Sequence, residues 1–160
     1  MSIIYRPIQK NDNKILADLI RQIFREFNIA RPGTVYTDPT TDQLYELFQA
    51  PGSSYWVAEE EGSILGGCGI YSTNGLPEGC AELVKFYLVK EARGKGIGRE
   101  LMQMSINSAK ESGYKQLYLE SLPELGNAVS MYEKAGFRQI DKPLGNSGHF
   151  GCTIWMVMDL

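Results

Sequence analysis

The sequence predicts a mixed α/β fold, and three observations carry that reading. Strand-like and helix-like segments alternate along the chain, a strand-helix-strand passage spans residues 84–119, and a glycine-rich turn joins its strand to its helix. The turn reads Arg93-Gly94-Lys95-Gly96-Ile97-Gly98-Arg99, after the β-branched and aromatic stretch 83–89 and before the helical stretch 99–110. Open sheets place ligands where such strands end. With 160 residues and 43% hydrophobic content, the chain is sized for one domain over residues 1–160 with a substantial core.

Taken in order, residues 2–8 alternate weakly and read as a first strand, closed by Pro7 and the polar cluster 11–13. Asp12 or Asn13 would cap the helix that follows. There Ile15, Leu16, Leu19, Ile20, Ile23, Phe24 and Phe27 recur at helical spacing and predict one broad apolar face. Residues 28–39 contain Pro32, Gly33 and Pro39 without sustained period, which predicts a loop. A short helix over 41–49 follows, with Thr40 and Gln43 as its capping box.

Strands are expected over 54–60 and 63–71, joined by a tight turn at Glu61-Gly62, and over 80–89 after a break at Asn74-Gly75. Beyond the glycine turn, Ile97, Leu101, Met104, Ser105, Ser108 and Ala109 form the buried side of a helix that stops at Gly113. A strand over 115–121, a helix over 125–135 and strands over 137–141 and 151–159 complete the chain. The crossover gives a parallel strand pair, and the hairpins are antiparallel.

A formal net charge of −3 excludes a general attraction to nucleic acid or an anionic membrane, so an anion must be held by local charge. Lys85, Lys90, Arg93, Lys95 and Arg99 supply it in this reading. Residues 1–12 lack the apolar run of a signal peptide and no stretch approaches a membrane span, so a cytoplasmic location is expected. Cys68, Cys80 and Cys152 are widely spaced and odd in number, which predicts reduced thiols. His149 is the single histidine; paired with Cys152 it offers too few ligands, and no metal is expected.

The glycine turn is where the chemistry concentrates. Gly94, Gly96 and Gly98 let main-chain N–H groups approach a ligand closely, and the helix N-terminus adds partial positive charge, a combination suited to phosphate. The dinucleotide fingerprint fails, because from Gly94 or Gly96 the third glycine position is Arg99 or Leu101. The phosphate loop of ATP-binding proteins fails too, since Lys95 is followed by Gly96 and the upstream glycine position is Val89. A turn that serves geometry alone, or an unrelated nucleotide-binding domain, are the rival readings.

The run Arg93-Gly94-Lys95-Gly96-Ile97-Gly98 resembles the Arg/Gln-x-x-Gly-x-Gly signature of the GNAT superfamily of acyl-CoA-dependent N-acetyltransferases. Phe86 to Val89 resembles that family's fourth strand, and Tyr132 to Phe137 its Tyr-x-x-x-Gly-Phe segment. The similarity covers roughly residues 2–142. It implies a three-layer fold with a central, mostly antiparallel sheet of six or seven strands flanked by four helices. It also implies acetyl-CoA as cosubstrate, its pyrophosphate on the N–H groups of Arg93 to Gly98 beside Arg99, and its pantetheine arm between the strands at Leu88-Val89 and Leu119. Many members carry Asn where this chain has Leu125. Asn127 lies out of register and would either take over that contact to the pantetheine or CoA from a differently shaped loop or cap the helix.

Acetyl transfer from a thioester to an amine needs a neutral amine, support for charge on the carbonyl oxygen and a proton for the leaving thiolate. A lysine-like amine with pKa near 10.4 is neutral only about one part in a few thousand at pH 7, a penalty of roughly 4–5 kcal/mol that a general base reduces. Resemblance to histone-type members assigns that base to Glu82. Strand alternation would put Glu82, an even number of residues from Leu88, on the same face. Glu120 is the alternative base, and an exposed or salt-bridged strand carboxylate the plainer reading of Glu82. A backbone N–H near Leu88 would meet the carbonyl oxygen.

Tyr132 matches the family's general acid toward the CoA sulfur, although Ala128, Met131, Tyr132 and Ala135 also follow the spacing of a core stripe. His149 would line the acceptor pocket, act as an auxiliary base near neutral pH, or bond backbone from a loop, and Cys152 reads as a small core residue. Arg31 and Tyr36 are candidate acceptor contacts, with a solvated loop arginine as the plainer view. The function implied is N-acetylation of a primary amine of a small molecule or peptide, by direct transfer without a cysteine intermediate. A non-catalytic acyl-CoA sensor is the alternative. Family members are often homodimers, but no interface is legible.

Overall fold

The computed structural model describes residues 2–160; the domain boundary placed at Met1 lies outside the described residues. Its strands are β1 (Ile3–Pro7), β2 (Ser54–Glu60), β3 (Ser63–Tyr71), β4 (Cys80–Leu88), β5 (Gln116–Ser121), β6 (Arg138–Ile140) and β7 (Ile154–Asp159). Its helices are α1 (Asn13–Glu26), α2 (Leu44–Leu47), α3 (Ile97–Glu111) and α4 (Gly126–Ala135). The strands form one seven-stranded sheet in the order β1-β2-β3-β4-β5-β7-β6. Only β4 and β5 run parallel, as the crossover predicts; every other pair is antiparallel.

Two apolar layers sandwich this sheet. On one face Leu16, Leu19, Ile20, Ile23 and Phe24 of α1 and Leu44 of α2 pack against Tyr55 and Val57. On the other, Ile97, Leu101, Ile106 and Ala109 of α3 and Val129 and Tyr132 of α4 pack against Ala81, Leu83, Leu117 and Leu119. The hairpin β2-β3 has the expected boundaries because Glu61 and Gly62 both adopt positive φ, the conformation that matches strand twist.

Several expectations fail for physical reasons. Ile15 is 53% exposed: the apolar face of α1 centres on Leu16, Leu19, Ile20 and Ile23, and Ile15 lies off it. Asp12 does not cap α1. It accepts the Gln9 N–H at 2.7 Å and pairs with Arg6 at 2.8 Å, while Asn13 Oδ1 accepts the Tyr45 N–H. The Thr40–Gln43 capping box does not form, because Asp38 accepts from the Thr40 N–H and starts a 3-10 turn over Pro39–Asp42, leaving α2 only four residues. In α3, Met104 and Ser108 are only half-buried and Met102 and Ile106 are buried; the Ser108 hydroxyl accepts the Trp56 indole N–H.

The largest departure sits in β4. Lys85 has φ 54°, and the pairing with β3 slips there: Gly69 faces Val84, while Gly67 faces Tyr87. One extra residue reverses strand alternation. Ala81 and Leu83 before the bulge, and Phe86 and Leu88 after it, pack on the α3 side; Val84 and Tyr87 pack on the α1 side. Glu82, two residues from Val84, therefore does not share Leu88's face.

Candidate active site

β4 and β5 pair only over Cys80–Glu82 and Gln116–Tyr118, although β4 continues to Leu88 and β5 to Ser121. The two strands splay, and a cleft of about 720 Å³ opens between them. The extended backbone fixes what the splay presents. Val89 donates its N–H to Leu65 O on β3 at 2.9 Å, so by alternation the Leu88 N–H aims the other way, into the cleft.

The glycine turn closes one end. Gly94 (φ 76°) and Gly96 (φ 82°) are left-handed, and an added Cβ at either would meet nothing within 4 Å. The turn thus uses glycine for backbone conformation and leaves its outer side open. The N–H of Glu100 is the first to bond within α3, to Gly96 O at 3.1 Å, which leaves the preceding N–H groups of the helix start free for a ligand. Gly98 is needed for packing, since a Cβ there would lie 3.0 Å from Leu88 Cδ1 and 3.3 Å from Phe86 Cζ.

Of the cofactor candidates, Leu88, Arg93, Gly94, Gly96, Gly98 and Arg99 line the cleft. Lys95 stands exposed beside it, Ile97 turns its side chain into the core, and Val89 is held by Leu65. Two charges expected at the turn are engaged elsewhere. The Arg93 guanidinium pairs with Glu26 at 2.6 Å, caps Leu88 O and lies 5.0 Å over the Phe27 ring. Lys85 is buried, 3.5 Å from Asp38. Among the described residues Lys90, Lys95 and Arg99 make no ion pair, and Lys95 and Arg99 stand at the turn itself with α3's dipole.

Tyr132 is 7% exposed, between Phe86 and Phe137, and lines the cleft. Burial holds its phenol above the usual range, so it stays protonated, and no side-chain hydrogen bond involves its hydroxyl among the described residues. Tyr132 is both a core residue and a cleft residue. Asn127 also lines the cleft; it caps nothing, α4 being preceded by Leu125 without a side-chain cap.

The opposite end is polar. Glu82 is buried and accepts the Thr73 hydroxyl at 2.6 Å; burial first, then the Glu120 charge, raise its carboxyl to about 8 against the pull of Thr73 and Lys85. Glu120 accepts from Tyr118 OH at 2.7 Å and Ser147 Oγ at 2.5 Å. His149 bonds no backbone through its ring: Nε2 lies 2.7 Å from Asp38 Oδ2 and Nδ1 3.9 Å from Glu120 Oε1. For Asp38, burial works toward a raised carboxyl but is outweighed by the His149 hydrogen bond, the Lys85 charge and two bonds from Thr40, which hold it well below the usual range. Burial lowers the Lys85 ammonium.

Cys152 lines the cleft with its thiol pushed up to about 12 by burial, the opposite of an activated nucleophile. All three cysteines are free. Arg31 pairs with Glu124 at 3.0 Å at the rim and Tyr36 stacks near Phe24, so neither projects into the cleft. Asp38 and Lys85 are the residues that sequence reasoning missed as a pair; the available signals were a charged residue inside an apolar strand run and an Asp directly before Pro39.

Residues 18–137 match the Acetyltransferase (GNAT) family. An uncharacterized N-acetyltransferase of Escherichia coli (strain K12) is 38% identical over 160 residues, 99% of this chain and 96% of the relative. In fold, the chain is similar to an acetyltransferase of the GNAT family from Staphylococcus aureus Mu50, with TM-score 0.88, 22% identity and 99% coverage of both chains. It is also similar to the PaiA N-acetyltransferase of Thermoplasma acidophilum in complex with coenzyme A, with TM-score 0.76, 19% identity and 100% coverage of both. The splayed strand pair, the open glycine turn and these likenesses converge: the chain belongs to the GNAT acetyltransferase family and is an acyltransferase that takes its acetyl group from acetyl-CoA.

Proposed function

We propose that the protein moves an acetyl group directly onto a primary amine of a small molecule or peptide, with no covalent enzyme intermediate, through one domain spanning residues 1–160. The observation that carries this reading is the shared cleft of Glu82, a buried carboxyl raised to about 8, and Tyr132, a phenol without a partner. The residues at the turn fit the donor: the N–H groups from Gly94 to Arg99 and the Lys95 and Arg99 cations would hold the pyrophosphate. The donor, when bound, supplies an activated thioester.

Glu82 takes the proton of the incoming ammonium. With its midpoint near 8, it ionises close enough to neutral pH to act, and its carboxylate is basic enough to lower the roughly 4–5 kcal/mol cost of the neutral amine. Glu120, held by Tyr118 and Ser147, keeps Glu82 proton-hungry by its own charge. The Leu88 N–H donates to the oxygen on which negative charge builds. Tyr132, which lines the cleft, donates its Oη proton to the departing sulfur, and the tyrosinate takes up the second proton that the nitrogen sheds as the amide forms. Cys152, with its raised thiol, leaves direct transfer as the route.

Thiol release from acetyl-CoA across aliphatic amines, amino-acid amides and dipeptides tests the reading: a primary amine accelerates it, and Glu82→Gln suppresses that acceleration. An acceleration that survives Glu82→Gln moves the base elsewhere. Reduced, buried thiols agree with the cytoplasmic location proposed from the sequence.

A further inference from the structure

We propose that Asp38 and His149 form a proton-relaying dyad that serves Glu82 through Glu120. It rests on the reading of Glu82 as base. Glu82 is buried, so the proton it takes from the amine needs a way out, and Glu120 lines the same cleft on the neighbouring strand, two residues beyond Tyr118, the pairing partner of Glu82. Beyond Glu120 stands His149 Nδ1 at 3.9 Å, and beyond that Asp38 on Nε2 at 2.7 Å.

The chain builds this arrangement from remote parts. Asp38 lies in the loop after α1 and His149 in the tail before β7, 111 residues apart, and a second contact, Gly151 N–H to Gly33 O, ties the same two segments. Gly33 allows the approach: a Cβ there would meet Phe150 at 2.6 Å and the Gly151 nitrogen at 2.7 Å.

Chemistry sets the direction. Asp38 is held ionised and can only accept, so it selects the tautomer of His149 with hydrogen on Nε2 and leaves the Nδ1 lone pair toward Glu120. The proton leaves the amine nitrogen for Glu82, passes to Glu120 and crosses the 3.9 Å to Nδ1, with water as the carrier where the side chains do not touch. Asp38 stabilises the resulting imidazolium, which is 11% exposed at the cleft and releases the proton to water. The charged or titratable groups around this path are Glu82, Lys85 and Tyr87 from β4, Tyr118 and Glu120 from β5, Arg31 and Asp38 from the loop and Cys152 from the tail; Lys85, 3.5 Å from Asp38, balances one carboxylate.

His149 is the single histidine, so its ring nitrogens are resolved by 15N NMR without assignment. In the intact protein above neutral pH the expected signal is the Nε2–H tautomer, lost in Asp38→Asn. An Nδ1–H tautomer in the native protein overturns the relay, because Nδ1 then has no lone pair for the proton. With the fastest amine of the panel above, His149→Ala should lower kcat about tenfold or more with KM for acetyl-CoA unchanged, and added imidazole should restore it. A kcat that is unchanged, or lowered without imidazole rescue, overturns the relay. Asp38→Asn, which keeps its volume, serves the same comparison through its pH profile if His149→Ala does not fold. Loss of the relay with Glu82→Gln still inactive leaves the base in place; an active Glu82→Gln removes the base itself.

Discussion

Arg93 grips the Leu88 carbonyl twice, with Nε at 3.1 Å and Nη2 at 2.9 Å, and closes a fork on the Glu26 carboxylate at 2.6 and 3.0 Å. One guanidinium thereby joins the end of α1, the open edge of β4 and the first residue of the glycine turn. Arg93→Ala should cost about 1–3 kcal/mol, because charge-assisted bidentate bonds at a half-buried site are lost and Leu88 O is left without its donor. Urea unfolding measures it, and Arg93→Lys should recover little, since an ammonium cannot make the fork.

Glu82 predicts a pH dependence of stability whose sign runs against the usual carboxylate. Unfolded, it titrates near 4.5; folded, near 8. Between those values the native state holds a proton that the unfolded chain has lost, so this group favours folding below about 4.5 and its contribution is lost as pH rises to about 8. The slope is at most about 1.4 kcal/mol per pH unit. Glu82→Gln cannot ionise and should melt at a higher temperature than the native protein at pH 8.5, with the gap closing toward pH 5.

Activity should follow the same group in the opposite sense, because the proposed mechanism uses the carboxylate. kcat/KM is expected to rise with pH through a midpoint near 8, and Glu82→Gln should displace the profile to the alkaline side.

Tyr132→Phe should lower kcat by about tenfold or more and leave KM for acetyl-CoA and the melting temperature nearly unchanged. The stability arm follows from geometry: the hydroxyl makes no side-chain hydrogen bond among the described residues, while the ring packing on Phe86 and Phe137 is kept. Steady-state kinetics and thermal unfolding check the two arms independently.

Much of the frame was readable because local rules agreed with the fold. The Glu61-Gly62 turn set the β2-β3 hairpin, and Gly96 and Gly113 bracketed α3. The lining of the cleft was readable in part, in the turn at 93–99 and in Tyr132. What period and spacing cannot carry is an inserted residue. The bulge at Lys85 reversed the faces of β4 and separated Glu82 from Leu88, although both still reach the cleft. Nor can spacing find the Asp38–His149 bond, whose partners are 111 residues apart, or tell that Arg93 is drawn to Glu26, 67 residues earlier in the chain.

Gly96→Ala should weaken CoA binding and cost about 1–2 kcal/mol of stability. A Cβ there meets no atom, but φ 82° strains any side chain. Arg99→Ala should weaken CoA binding without that stability cost, and its effect should shrink as salt rises. Calorimetric titration with CoA against each variant separates the two.

The most direct measurement is a crystal structure of the protein grown with acetyl-CoA. The expected result is a diphosphate on the N–H groups from Gly94 to Arg99, with the thioester between β4 and β5 within reach of Tyr132 Oη and the Leu88 N–H. Density for the donor elsewhere, or an empty turn at saturating donor, would contradict the account.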